Sequence, residues 1–130
     1  MARAWAAAAL GGLFVLLENG VMAQPVLPDE IGCYFNTVGA ENAQAFGACF
    51  TDDAEIVDVN RPIRGRAEIV RWANNEVMGG RYTLHEFSST SSGGEVLLTF
   101  VPPGATSGFK ARYQITTKGG KIHRMVLSYA

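Results

Sequence analysis

Residues 50–69, FTDDAEIVDVNRPIRGRAEI, constrain the fold of this chain more than any other stretch. Two acidic turn residues, Asp52 and Asp53, lead into a short apolar run rich in β-branched residues, too short for a helix and well suited to a strand. Its alternation places Ala54, Ile56 and Asp58 on one face and Val57 and Val59 on the other, so that both faces read as covered. Asn60 to Arg64 reads as a loop around Pro62, and a helix starts after Gly65. A chain that turns, makes a strand carrying one carboxylate and re-enters a helix must already have something for that strand to pack on.

The flanks supply it. After Pro25 and Pro28, the residues Ile31, Tyr34, Phe35 and Val38 fall at i, i+3, i+4 and i+7, one face of a helix that Gly39 stops. A second helix starts near Glu41 or Asn42 and carries Ala43, Phe46, Gly47 and Phe50 inward. The third presents Ile69, Trp72, Ala73 and Val77 and ends at Gly79-Gly80. From Tyr82 onward the pattern is strands. Residues 82–88, 95–101, 107–117 and 122–129 are separated by Ser91-Ser92-Gly93-Gly94, by Pro102-Pro103-Gly104 and by the hairpin signal Lys118-Gly119-Gly120-Lys121. Phe109, Ala111, Tyr113 and Ile115 form the natural inner row of the third of these strands. The order α-α-β-α-β-β-β-β predicts an α+β fold, with three N-terminal helices packed on a curved antiparallel sheet and a hollow between them.

Bulk properties narrow the partners. At 130 residues and 48% hydrophobic content there is one domain with one core. A net charge of -1 with both signs scattered offers no basic stripe for nucleic acid. A small, roughly neutral ligand is the expected partner. Residues 1–23 differ from the rest: Arg3 precedes an apolar run from Ala6 to Leu17, too short to span a membrane, and Val21-Met22-Ala23 resembles a signal-peptidase site. The expectation is a cleaved leader, a mature domain over residues 24–130 with no membrane segment, and a periplasmic or secreted location. The alternative is translation from Met22 and a cytoplasmic protein. Cys33 and Cys49 suit either a disulfide or two free core thiols.

The run YF-x-x-V-x-x-x-N-A-x-A-F-x-x-C-F-T-D-D-A-E-I-V-D-V, followed by R-G-R-A-E-I-V-R-W and a late G-G-K-I, resembles the NTF2-like superfamily in its SnoaL-like branch. The resemblance covers residues 27–129 and implies a cone of helices on a curved sheet that pairs into a homodimer through the outer sheet face. The branch includes ketosteroid isomerases and polyketide cyclases, which work without a cofactor. It implies that Asp58 is the strand aspartate acting as general acid/base and that Tyr34 is the helix tyrosine donating to a developing oxyanion. The isomerases' third group, a protonated acid, falls on Arg112 or Ala111, neither of which is a carboxylic acid. The sequence therefore departs further from the isomerase plan than from the cyclase plan.

From the residues themselves, Asp58 on an apolar face is either a base whose pKa burial raises or a strand-end carboxylate paired with Arg61, Arg64 or Arg66. Phe46, Trp72, Phe87, Phe100 and Met125 are candidate walls of an apolar pocket, and Arg112 joins them if its strand face turns inward. His85 and His123 stand alone, with no metal-ligand spacing around them, so no metal is expected. The functional expectation is a small-molecule isomerase, cyclase or hydratase acting on an apolar or carbonyl-containing ligand. The alternative is a non-catalytic binding or dimerisation module.

Overall fold

A computed structural model describes residues 24–130, together with the backbone of a two-residue antiparallel ladder between β1 (Trp5–Ala6) and β2 (Val15–Leu16). The remainder of the expected leader lies outside the described residues. Helices α1 (Asp29–Gly39) and α2 (Ala43–Ala48) come first, and α2 starts where the Asn42 side chain accepts a hydrogen bond from the Ala45 amide at 3.0 Å. Then follow β3 (Phe50–Asp58), β4 (Arg61–Arg64), α3 (Arg66–Glu76), β5 (Arg81–Thr90), β6 (Gly93–Val101), β7 (Phe109–Lys118) and β8 (Lys121–Tyr129).

Six strands form one sheet in the order β4-β3-β8-β7-β6-β5. Every pairing in it is antiparallel except that of β3 with β8, which is parallel. This corrects two expectations. The sheet is mixed, because β8 returns to lie beside β3 in the same direction. The three helices are also not all N-terminal to the sheet, since α3 is inserted after the β3–β4 hairpin.

Strand β4 occupies what the sequence presents as a loop. Pro62 has no N–H and reads as a breaker, yet β4 is an edge strand, where a missing donor is tolerated. The turn is unusual as well: Val59 and Asn60 both take positive φ, 48° and 71°. This two-residue turn matches the twist of a hairpin, but a β-branched residue rarely adopts that conformation. The β7–β8 turn does the same job with Gly119 and Gly120, φ 59° and 79°, at no steric cost.

Register shifts bend the sheet. Between Phe50 and Glu55 strand β3 advances five residues while β8 advances only two, from Ile122 to Arg124, and single-residue bulges fall at His85 and His123. The concave face carries the core. Ala54 and Ile56 of β3, Val96 and Leu98 of β6, Ile115 of β7 and Met125 of β8 are buried against Ile31, Tyr34, Val38, Phe46 and Ile69 of the helices. On β3 and β6 only this face is fully covered: Val57, Leu97 and Val101 on the other side are half-buried, and Val59 is exposed.

Two ties hold the helices to each other and to β3. Arg66 at the start of α3 donates to the Gly47 carbonyl at 3.0 Å and to the Phe50 carbonyl at 2.6 Å, and pairs with Asp52. Gly47 lets α2 and α3 approach so closely that a Cβ there would stand 2.8 Å from a Val70 methyl. The second tie is covalent: Cys33 of α1 and Cys49 after α2 form a disulfide across 16 residues. Closing a loop of that length removes about 3 kcal/mol of chain entropy from the unfolded state. Replacing both cysteines by serine is therefore expected to lower unfolding free energy by about 2–4 kcal/mol in urea titrations. An unchanged midpoint for the variant and for the reduced wild type would show that the bridge constrains nothing.

Candidate functional site

The end of β3, the following turn, the last turns of α3 and the ends of β6, β7 and β8 enclose a cavity of about 640 Å³. Asp58 reaches it because it is the third member of the inward row Ala54–Ile56–Asp58 and the last residue of its strand. Its side chain is 22% exposed. The tight hairpin puts Arg61 directly across from it, and the guanidinium donates to Asp58 Oδ2. Trp72 and Glu76 lie one turn apart on α3 and so share a face. Trp72 Nε1 donates to the same Oδ2 at 3.1 Å, while Glu76 accepts two hydrogen bonds from Arg61, at 2.7 and 2.9 Å. The chain Trp72–Asp58–Arg61–Glu76 thus stitches the β3–β4 hairpin to α3.

The two carboxylates, Glu76 foremost, hold the Arg61 guanidinium still more firmly protonated than usual. Arg61 is 52% exposed, so as a stability device the pair contributes little, about 0–1 kcal/mol. Its effect is positional. Oδ2 of Asp58 is committed twice over, and Oδ1 has no hydrogen-bond partner among the described residues. Of the three arginines that the sequence offers as partners, Arg61 is the one that pairs with Asp58; Arg64 goes to Glu55 and Arg66 to the α2–β3 junction.

The other expected site residues divide clearly. Trp72 and Phe100 line the cavity alongside Asp58. Phe46, Phe87 and Met125 are buried in the core and are not among the lining residues. Arg112 sits on the outer face of β7, 3.9 Å from Glu95. Tyr34 is fully buried and does not reach the cavity; its hydroxyl lies 2.8 Å from that of Tyr82, which in turn lies 3.0 Å from that of Tyr113. Tyr113 does line the cavity. The alternation of β7 places Tyr113 in its inner row, and no spacing rule joins residues 34, 82 and 113. Glu76 was legible in principle, four residues after Trp72.

Burial is the largest cause holding all three phenols above the ordinary tyrosine range. Their folded-state pKa values exceed the unfolded one, so the stability they contribute is full below pH about 10 and is lost as pH rises from there toward the folded values. Phenolate absorbance from Tyr34, Tyr82 and Tyr113 should therefore appear together with unfolding in an alkaline titration of the wild type, followed in parallel by circular dichroism. Ionisation of these three in a protein still folded would contradict the buried network.

No family profile matches the chain, and no curated protein sequence does. Solved structures do resemble it. A candidate polyketide cyclase from Sinorhizobium meliloti superposes with a TM-score of 0.70 at 22% identity, over 78% of this chain and 95% of that one. A protein of ketosteroid isomerase-like fold from Catenulispora acidiphila, in complex with trimethylamine, gives 0.69 at 17% identity over 81% and 88%. A Mycobacterium tuberculosis protein in complex with estradiol-17beta-hemisuccinate gives 0.63 at 16% identity over 78% and 91%. At these identities the likeness concerns architecture: the chain has the NTF2-like fold shared by ketosteroid isomerase-like and polyketide cyclase-type proteins.

Proposed function

We propose that the cavity between α3 and the sheet binds a small, largely apolar molecule carrying at least one polar group, without a cofactor. The observation that carries this reading is that about 640 Å³ stays open even though Trp72 and Phe100 are packed at its wall. That volume lies within the range of about 300–1,000 Å³ typical of small-molecule sites. The relatives bound to trimethylamine and to an estradiol derivative support the reading by analogy of fold.

A second reading, acid/base turnover of the isomerase, cyclase or hydratase type with Asp58 as the acting group, is favoured by one detail. Trp72 and Arg61 fix Oδ2 of Asp58 and leave Oδ1 without a protein partner among the described residues. A carboxylate held in that way can accept a proton from a bound molecule, or orient one. Asp58→Asn separates the two readings. The amide oxygen still accepts from Trp72, so the thermal midpoint is expected to move by no more than a few degrees. Turnover should fall by about 100-fold or more if Asp58 is the base, whereas binding alone should change only modestly. The check is a panel of apolar ketones, phenols and amines screened by ligand-observed NMR and then by product analysis on wild type and variant. Failure of every compound to bind would overturn the pocket reading; binding with no product from any of them would remove the catalytic one.

We further propose that the domain acts outside the reducing cytoplasm as a homodimer. The Cys33–Cys49 bridge supports the first part, because such bonds persist in oxidising compartments. The half-buried Leu97 and Val101 on the convex face of β6 support the second. Intact mass and sedimentation of the natively produced protein are expected to show a chain starting at Gln24 and a two-chain particle. A chain starting at Met22, or a monomer, would reverse the corresponding statement.

A further inference from the structure

Among the described residues four large apolar side chains are exposed: Val26, Val59, Phe109 and Tyr129. All but Val26 line the cavity. Water disfavours such groups, and their gathering at one opening marks a surface kept for a ligand. The two rings continue a series that begins inside. Phe100 of β6 meets Phe109 of β7 with ring centroids 6.0 Å apart at 84°, and Phe109 meets Tyr129 of β8 at 5.2 Å and 68°. Phe100 is 7% exposed, Phe109 39% and Tyr129 66%, so the series climbs from the buried wall to the rim. Edge-to-face contacts cover less of the rings than stacking does, which leaves negative ring faces for another group.

The charges of the lining do not cancel. Asp58 and Glu76 carry two formal negative charges against the one positive charge of Arg61, and no other charged residue lines the cavity. Arg61 donates to both carboxylates, yet Oδ1 of Asp58 has no hydrogen-bond partner among the described residues. Burial chiefly, with the Asp58 charge adding to it, holds the Tyr113 phenol above its ordinary range, so that charge is felt on the β7 side of the cavity. On the pocket reading above, we infer that the cavity selects an organic cation, an ammonium carrying alkyl groups, over a neutral or anionic molecule of the same shape. The alkyl groups rest on the apolar wall, and the positive charge meets the faces of Phe109 and Tyr129 and the uncancelled charge beside Asp58. An anion would meet that same negative charge, and Arg61, the cation of the lining, is already held by two carboxylates. Such selection needs only a bound ligand and no turnover.

Isosteric probes test this. Phenyltrimethylammonium and tert-butylbenzene have the same shape and differ in the charge of one atom. Wild type is expected to bind the cation about tenfold more tightly, a preference that shrinks as ionic strength rises from about 0.05 to about 0.5 M. The N-methyl proton resonance should move upfield on binding, the ring-current sign of a group lying over aromatic faces. Arg61→Gln removes the neutralising charge and should tighten cation binding about threefold or more, leaving tert-butylbenzene within about twofold. Replacing Phe109 and Tyr129 together by leucine should weaken cation binding about fivefold or more and reduce the upfield shift, with the hydrocarbon within about threefold. Both positions are exposed, so the fold does not depend on them. Equal binding of the two probes by wild type, or tighter binding of the hydrocarbon, would overturn the inference while leaving the pocket reading intact. If either variant fails to move the preference, the charge or the rings are not what recognises the cation, and the inference falls. If neither probe binds, the pocket reading fails for molecules of this size and the inference falls with it.

Discussion

The parallel pairing of β3 with β8 is the contact on which the rest depends. The helices, the β3–β4 hairpin and the meander β5–β8 are each local, and each would leave an apolar face in water alone. Only when β8 lies between β3 and β7 do they become one sheet, with Ile56 beside Met125 and Asp58 beside Leu127. That pairing also builds the site. It places the Asp58 end of one half next to the Leu127–Tyr129 end of the other, and the cavity opens where the two meet.

The site is made by elements that were already under geometric constraint. The β3–β4 turn puts Arg61 across from Asp58 by hairpin register, and the helical repeat puts Glu76 one turn beyond Trp72. Neither arrangement requires the other. Their coincidence fixes one oxygen of a carboxylate and leaves the other without a hydrogen-bond partner among the described residues. Across the cavity, a row of phenols crosses the core from α1 through β5 to β7 and presents only its last member. The polar groups are thus held by hydrogen bonds, exposed around Arg61 and buried among the phenols, beside apolar walls such as Phe100, Val77 and Leu127.

Much of this was legible in the residues. Helical spacing fixed the inner faces of α1 and α3, alternation placed Ala54, Ile56 and Asp58 on one side, and Gly119-Gly120 marked the last turn. The mixed sheet was not legible, because a strand's partner and direction are set by tertiary closure and leave no trace in local pattern. Strand β4 was hidden by Pro62 and by Val59 at a turn position that propensity would give to Asn or Gly. Within the site, Asp58, Trp72 and Phe100 could be located from the inward faces of their elements. Phe46, Phe87 and Met125 share the same periodicity, and periodicity alone cannot separate a core position from a cavity wall a few residues away. The contacts of Tyr113 with Tyr82 and Tyr34 join residues 31 and 79 apart in sequence, beyond the reach of any spacing argument.

The position of β8 has a consequence for biosynthesis. A strand at the centre of a sheet that is translated after every other strand of that sheet delays completion of the core until it emerges. Before then, β3 exposes its inner edge and the meander lacks a neighbour on the side that β3 will occupy, so the nascent chain has hairpins and helices but no closed cone. Committed structure comes late, and comes all at once. Such a chain stays pliable throughout its own synthesis, the condition in which a polypeptide can still be threaded, modified or joined by a disulfide before its interior is sealed.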